Sequence, residues 1–277
     1  MTMSNLVLTP PLFAILSGFI EERVGMSYSA SEQALFETKV GARALEAGFA
    51  SLLDYYYYLR YDDADQSEFR ALVQTLLVHE TFFFRELGPL RAAVSHLITP
   101  RVASGSRVRV WCAACATGEE PLTLAMLLAQ EGVLDRVEIV ASDLSEAALE
   151  RARAGRYPVR ALRQQPNHPL AARYLERNGE SLRAAPELLA AIDYCCLNLM
   201  DPEALERLCS FDLIVCRNVL IYFRDARASE LVQRLTRRLV PGGALLVGAA
   251  ESLMRFGSEL ACEEHGGAFL YVKQATP

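Results

Sequence analysis

Residues 107–130, RVRVWCAACATGEEPLTLAMLLAQ, restrict the fold more than any other stretch of this chain. The β-branched alternation at Val108 and Val110, followed by Trp111, predicts a buried strand. Small residues up to Gly118 predict a turn, and a helix is expected to begin directly after it. A strand, a small-residue turn and a helix together let a ligand approach bare backbone at the carboxyl edge of a sheet. The sequence therefore predicts an α/β protein whose ligand lies at this turn.

The residues of the turn indicate a cationic ligand and not a phosphate. Loops that bind phosphates or dinucleotides have glycine at several positions and leave the positive end of the helix free for an anion. Here the turn has a single glycine, and Glu119 and Glu120 occupy the first helical turn, where they would repel a pyrophosphate. Two carboxylates suit a ligand with hydroxyls, an ammonium and a sulfonium, which points to S-adenosylmethionine.

An acidic residue also ends the second predicted strand. Strand 137–142 leads into Asp143, which lies 25 residues after Gly118. This is the place where dinucleotide-binding and related sheets hold the ribose hydroxyls of a nucleoside. The alternative for Asp143 is a plain turn carboxylate.

The rest of the second half alternates strands and helices around one interruption. Further strands are predicted at residues 192–197, 211–216 and 244–248, and the segments 260–263 and 268–273 predict a closing antiparallel hairpin. Residues 150–183 interrupt the pattern with eight arginines, three glutamates and several prolines. This composition predicts an inserted subdomain with a basic face.

Residues 1–96 predict a helical domain, because apolar residues recur there at helical spacing. At its end the segment HETFFFRE, residues 79–86, has three phenylalanines beside Thr81 and Arg85. If this segment is helical, those two side chains share one face. An arginine beside an aromatic wall can grip a carboxylate, and simple core packing of the rings is the alternative.

Charge and composition exclude several classes of function. A net charge of −6 gives no support for nucleic-acid binding. Pro10 and Pro11 interrupt the early apolar run and no Lys or Arg precedes Arg23, so we expect a cytoplasmic protein that is not inserted in a membrane. Cys112 and Cys115 have the spacing of a redox motif, but no second pair of ligands accompanies them, so we expect buried thiols and no metal site.

Five blocks of this sequence resemble one family of enzymes. TFFFRE, WCAACATGEEPLTLAMLL, ASDLSEAALERARAGRYP, FDLIVCRNVLIYF and VPGGALLVGAAESL are similar, in this order, to the chemotaxis receptor glutamate methyltransferases of the CheR type. The resemblance implies a class I S-adenosylmethionine-dependent methyltransferase, with a Rossmann-like seven-strand sheet and a small all-α N-terminal domain. The implied domains are residues 1–96 and 107–277, the second with a small antiparallel β insert at about 156–192, which in several members docks a tethering peptide of the receptor.

The resemblance also implies the reaction and the residues of the site. The methyl group of S-adenosyl-L-methionine passes to glutamate side chains in the cytoplasmic domain of chemoreceptors, leaving S-adenosyl-L-homocysteine and glutamate methyl esters. The implied catalytic residues are Arg85 and Tyr222. The implied cofactor contacts are His79, Thr81, Arg85, Ala114, Glu120, Asp143, Asn198, Leu199, Asn218 and Val219. His79 stands where many members have asparagine.

Two alternative functions accompany this one. A nicotinamide-dependent oxidoreductase could use the same type of sheet, although the single glycine and the paired glutamates of the turn disfavour it. A non-catalytic module that senses S-adenosylmethionine in a receptor array is the other, and the presence of both Arg85 and Tyr222 argues against it.

Overall fold

The computed structural model describes residues 6–163 and 165–274. Its contacts divide the chain into two units: Met1–Val78 with Tyr222–Arg224, and His79–Ile221 with Asp225–Pro277. Within the described ranges, every helix is too short or too polar to cross a lipid bilayer.

The first unit is helical. Its α-helices are α1 (Pro10–Val24), α2 (Gln33–Glu46), α3 (Leu52–Tyr57) and α4 (Ser67–Leu76), and α3 continues as a π-helical turn, Tyr58–Asp62. Prolines occupy the first positions of α1, where the backbone N–H groups have no acceptor within the helix. Gly25 ends the helix with a φ of 79°. Of the four consecutive tyrosines Tyr55 is buried and Tyr57 is exposed, as expected for neighbours on a helix.

The second unit holds the remaining elements. Its α-helices are α5 (Leu87–Ala93), α6 (Thr99–Ala103), α7 (Glu119–Gln130), α8 (Glu146–Ala154), α9 (Pro169–Tyr174), α10 (Pro186–Ala190), α11 (Pro202–Glu206) and α12 (Asp225–Arg237). Its strands are β1 (Val108–Ala113), β2 (Val137–Asp143), β3 (Arg156–Pro158), β4 (Leu175–Asn178), β5 (Ser181–Ala184), β6 (Ile192–Cys196), β7 (Phe211–Val215), β8 (Leu239–Leu246), β9 (Ala261–His265) and β10 (Ala268–Val272).

Seven of these strands form one sheet, in the order β6-β2-β1-β7-β8-β10-β9. Neighbouring strands from β6 to β8 are parallel, and β10 is antiparallel to both β8 and β9. The chain runs from β1 outward through β2 to β6 and then returns to β7 on the other side of β1. The strand order therefore reverses between β1 and β7, and in open α/β sheets ligands bind outside the carboxyl ends of the strands at such a point. The predicted fold class is confirmed.

A smaller sheet interrupts the alternation of strands and helices. Strands β3, β5 and β4 form a three-stranded antiparallel sheet between α8 and α10. Its outward side chains include Arg156, Arg177 and Arg183, which are exposed. The small antiparallel β insert that the family resemblance implied is present, at residues 156–184.

The division between the units falls after Val78, earlier than the boundary at residue 96 that the sequence suggested. The reason is the burial of Phe83 and Phe84, which lie in one hydrophobic core with the apolar side chains of β1 and α7. The helical run that continues from α5 through a π-helical turn, Val94–Ile98, into α6 contributes to the same core. Arg85 therefore belongs to the unit of the large sheet and not to the helical one.

Candidate active site

The turn between β1 and α7 has a strained backbone. Ala114 and Ala116 have φ angles of 58° and 48°, and Gly118 has a φ of 91°. Left-handed conformations cost a non-glycine residue about 1–2 kcal/mol each and persist only where the surroundings enforce them. Three hydrogen bonds do so: Cys115 N donates to the Ser142 carbonyl at 2.9 Å, Ala116 N to Asp143 Oδ2 at 2.8 Å, and Tyr157 Oη to the Thr117 carbonyl at 2.9 Å. The turn is thus preformed.

Asp143 lies beside this turn at the carboxyl end of β2. Its side chain is 7% exposed, Oδ1 accepts from Ser145 N at 2.8 Å and Oδ2 accepts from Ala116 N. Burial raises the pKa of Asp143, and the backbone N–H groups of Ser145, Ala116 and Leu144, together with nearby His79, oppose this shift. A carboxylate can accept about four hydrogen bonds, so Asp143 has the kind of acceptor that the hydroxyls of a ribose require.

The paired glutamates of α7 differ in their partners. Glu119 Oε2 accepts from Thr117 Oγ1 at 2.7 Å, inside the turn. Glu120 Oε2 instead accepts from Arg217 Nη1 at 3.0 Å. Burial raises the pKa of Glu120, and the charge of Arg217 opposes that effect. Glu120 is therefore the member of the pair whose carboxylate is paired with a cation.

Arg217 was not among the predicted site residues. It lies two residues after the end of β7, and its side chain is 1% exposed. It also donates to the carbonyl of Arg85 at 2.8 Å and to Glu86 Oε2 at 3.1 Å. The signal in the sequence is an arginine at the end of the apolar strand FDLIV, since a charged residue at such a position is buried only when it is paired.

The segment before α5 is not helical. Residues 77–82 have no regular structure and residues 83–86 form a turn, with φ angles of 63° at Phe84 and 45° at Glu86. The condition under which Thr81 and Arg85 would share one helical face is therefore not met. Consecutive phenylalanines suit a turn here because Phe83 N donates to the Ala161 carbonyl at 2.9 Å while both rings 83 and 84 are buried. The Arg85 guanidinium lies over the Phe82 ring, 5.6 Å from its centroid.

The ends of β6 and β7 supply the remaining predicted contacts of the sheet unit. Asn198 Oδ1 accepts from Met200 N at 2.9 Å, and Leu199 is buried. Asn218 has a φ of 59°, and its N–H donates to Glu251 Oε2 at 2.6 Å. Val219, next to it, is half-buried. Glu251 is a second residue that the sequence did not reveal, and its carboxylate also accepts from Gly248 N at 2.8 Å.

Tyr222, the predicted substrate-side residue, is assigned by its contacts to the helical unit. There its carbonyl accepts a hydrogen bond from Ser27 N at 2.9 Å. The other predicted site residues, from His79 to Val219, all belong to the unit of the large sheet. The role of Tyr222 stays a prediction.

The cysteines of the turn do not have the properties of a redox pair. Cys112 and Cys115 are buried free thiols, and burial raises the pKa of both. Reactive cysteines have a lowered pKa and some exposure. Their place in the hydrophobic core is that of small apolar side chains.

We expect Gly118→Ala to lower the free energy of unfolding by about 2 kcal/mol. A Cβ atom there would lie 2.7 Å from Ala152 Cβ and 3.1 Å from Tyr194 Oη, with the backbone at a φ of 91°. The matched control is Gly132→Ala, which has a φ of 69° and open space around the new Cβ. Urea unfolding of both variants separates the clash from the strain, and equal losses would contradict the prediction.

We expect Glu119→Gln to raise the melting temperature at pH 8, with a difference that shrinks towards pH 4. Burial raises the pKa of Glu119, partly opposed by the Thr117 hydroxyl. The unfolded chain then binds fewer protons than the folded protein, so this carboxyl costs stability as pH rises through its folded pKa, and costs none below its unfolded pKa. Calorimetry across this pH range is the measurement. Glu187→Gln, an exposed first-turn carboxylate in α10, should follow the wild-type curve.

These residues are compatible with S-adenosylmethionine. A buried carboxylate suits ribose hydroxyls, and a second carboxylate suits an ammonium. The first lies at the carboxyl end of β2 and the second on the helix that follows the adjacent parallel strand β1. The turn between them presents backbone without bulky side chains.

Two family models match the chain. The model described as CheR methyltransferase, SAM binding domain, matches residues 79–265, and the model described as CheR methyltransferase, all-alpha domain, matches residues 11–77. The boundary between the two matches coincides with the division that the contacts give, after Val78.

Several relatives are similar over most of the chain. Chemotaxis protein methyltransferase 2 of Vibrio cholerae serotype O1 is 29% identical over 261 residues, 92% of this chain and 90% of that protein. Chemotaxis protein methyltransferase of Vibrio parahaemolyticus serotype O3:K6 is 32% identical, over 91% of this chain and 92% of that protein. Probable biofilm formation methyltransferase WspC of Pseudomonas aeruginosa is 31% identical, over 84% of this chain and 55% of that protein. The two family models match consecutive parts of the chain, and the turn after β1 suits the methyl donor. The chain therefore belongs to the CheR methyltransferase family and uses S-adenosylmethionine.

Proposed function

We propose that this protein transfers the methyl group of S-adenosylmethionine to glutamate side chains in the cytoplasmic domains of chemoreceptors. The observation that carries the proposal is the alignment of both domains, over about nine-tenths of each chain, with relatives named chemotaxis protein methyltransferases. The product would be a glutamate methyl ester, with S-adenosylhomocysteine released. The paired glutamates and single glycine of the turn disfavour the nicotinamide alternative.

The chain's own residues divide the work of the proposed site. Asp143 holds the ribose, Glu120 holds the positive methionine end, and Arg85 orients the cofactor carboxylate or the incoming glutamate. Tyr222 lines the path of the methyl group. The backbone and side chains that complete the cofactor contacts are His79, Thr81, Ala114, Asn198, Leu199, Asn218 and Val219.

The proposed reaction depends more on the orientation of the glutamate carboxylate towards the methyl group than on acid–base catalysis. When bound, S-adenosylmethionine supplies a methyl group activated by its sulfonium. A glutamate with a pKa of about 4.3 is already ionised at neutral pH, so no general base is needed. The protein has to exclude water from the carboxylate and aim it, and well-oriented systems gain roughly 7–11 kcal/mol in this way. Opposite charges are neutralised in the transition state, so a dry site favours the reaction.

The test is a transfer assay with methyl-labelled S-adenosylmethionine and cytoplasmic receptor fragments. We expect label in the receptor that mild base releases as methanol, because esters are base-labile and N-methyl groups are not. Mass spectrometry then locates the esters, and fragments with glutamine at those positions serve as the control. Base-stable label would contradict glutamate methylation, and binding of S-adenosylhomocysteine with no transfer to any fragment would favour a sensing module.

A further inference from the structure

We propose that Arg217 is a positioning residue of the cofactor site, which holds the Glu120 carboxylate and the backbone at Arg85 and Glu86 in the arrangement that the methyl donor requires. The inference rests on the proposed function, since it assigns Glu120 to the positive end of that donor. It gives a role to a residue that lies within the block FDLIVCRNVLIYF but is not among the proposed cofactor contacts.

The first observation is the number of separate chain segments that this one side chain joins. Arg217 Nη1 donates to Glu120 Oε2 on α7 at 3.0 Å, and Nη2 donates to the carbonyl of Arg85 at 2.8 Å. The same Nη2 lies 3.1 Å from Glu86 Oε2 and 3.3 Å from the Glu86 carbonyl. Two segments far apart in sequence, one at Glu120 and one at Arg85 and Glu86, therefore share one guanidinium. Its planar fork fixes direction as well as charge.

The second observation is the strain of the segment that Arg217 holds. Glu86 has a φ of 45° and Phe84 a φ of 63°, conformations that a residue with a side chain keeps only under constraint. Glu86 Oε2 also accepts from Ala249 N at 3.1 Å, so the turn is held from β7 and from the end of β8. Without Arg217 the turn at Glu86 loses three of these hydrogen bonds, and Arg85 lies directly before it.

The third observation is the charge of the cluster. With both carboxylates ionised, Arg217, Glu86 and Glu120 sum to −1. The sulfonium, ammonium and carboxylate of the methyl donor sum to +1, so the cluster complements the ligand. The Nε–H of Arg217 is buried and has no acceptor among the residues that the structure describes, which leaves one further donor of the guanidinium for a ligand.

Two substitutions separate the charge of Arg217 from its geometry. Arg217→Lys keeps a positive charge beside Glu120 but lacks the planar fork, and Arg217→Met removes both. We expect the Met variant to bind S-adenosylhomocysteine roughly 10- to 100-fold more weakly at pH 7.5. The Lys variant should fall between it and the wild type.

The pH dependence of binding is the readout that a purely structural arginine would not change. Glu120 faces Arg217, Glu86 and Arg85, and loss of the Arg217 charge raises the pKa of Glu120 further. The affinity of Arg217→Met should therefore fall more as the pH is lowered from 8 than the affinities of the wild type and Arg217→Lys do. Titration calorimetry with S-adenosylhomocysteine at each pH measures this.

The matched control is Arg101→Met. Arg101 also joins two segments, since it pairs with Asp212 and donates to the Gly242 carbonyl, but neither partner is a proposed cofactor contact. The Arg101→Met variant should have a lower melting temperature, but its affinity for S-adenosylhomocysteine and the pH dependence of that affinity should not change. If the wild type binds S-adenosylhomocysteine and a folded Arg217→Met or Arg217→Lys variant matches it at every pH, the inference is overturned. If the wild type itself does not bind, the proposed function fails instead.

Discussion

We expect Arg85→Ala to slow methyl transfer to receptor fragments by at least about 100-fold. Among the described residues its guanidinium donates one hydrogen bond, to the Glu80 carbonyl at 2.9 Å, so further donors are available to grip a carboxylate. Two charge-assisted hydrogen bonds of about 1.5–3 kcal/mol each correspond to a loss of this size. The measurement is the initial rate with labelled S-adenosylmethionine, together with the affinity for S-adenosylhomocysteine. A fall in both assigns Arg85 to the cofactor carboxylate, and a fall in rate alone assigns it to the incoming glutamate.

Arg163→Ala is the matched control for this variant. Arg163 lies over the same Phe82 ring, 4.3 Å from its centroid, and pairs with the side chain of the same Glu80 at 2.7 Å. It carries the same charge in the same neighbourhood, but no motif assigns it a cofactor contact. We expect its rate to stay within about threefold of the wild type, because exposed ion pairs contribute about 0–1 kcal/mol. Equal losses in the two variants, or near-normal turnover of Arg85→Ala, would remove Arg85 from the site.

We expect Asp143→Ala to weaken the binding of S-adenosylhomocysteine by about 100-fold. The carboxylate would lose its bonds to the ribose hydroxyls, and the turn at Ala116 would lose the acceptor of its N–H group. Two hydrogen bonds to a charged group account for about 3 kcal/mol or more. Titration calorimetry well below the melting temperature gives the affinity of the folded variant, and an unchanged affinity would reject the ribose assignment.

Asp63→Ala controls for the loss of a buried carboxylate as such. Asp63 is also 7% exposed and also accepts from two backbone N–H groups, those of Glu68 at 3.2 Å and Phe69 at 2.7 Å. It lies in the helical unit. We expect both variants to lose stability and only Asp143→Ala to lose affinity for the cofactor.

The sequence predicts those parts of the site in which a local secondary-structure pattern and residues suited to the ligand occur in the same stretch. The strand, turn and helix around Gly118 are readable because β-branched alternation, small residues and helical spacing follow one another within a short stretch. Asp143 can be predicted because parallel strands bring their carboxyl ends to one edge of the sheet, so its position at the end of β2 already places it beside the turn.

The parts that sequence misses depend on contacts between distant residues. Arg217 meets Glu120 across 97 positions and Arg85 across 132, and no local pattern encodes such a pairing. The three phenylalanines at 82–84 are compatible with either a helix or a turn. The turn forms because the hydrophobic core buries two of them.

Turn-forming residues inside a strand can also make a sequence-based prediction begin that strand too late. The prediction began the fifth strand of the parallel set at residue 244, after Pro241, Gly242 and Gly243. The structure has β8 already starting at Leu239, with a register irregularity opposite residues 211–213 of β7. A β-bulge admits proline and glycine inside a strand, so their usual meaning as breakers fails there.

The hydrogen bond from Tyr157 to the Thr117 carbonyl bears on experiments that exchange the insert between family members. Because β3 carries that tyrosine, an exchanged insert also replaces a side chain that holds the loop after β1. A chimera that loses activity therefore does not by itself assign receptor recognition to the insert, because the loop after β1 has changed as well. Grafts that retain the native Tyr157 and the Ala161 carbonyl, which accepts from Phe83 N, avoid that ambiguity.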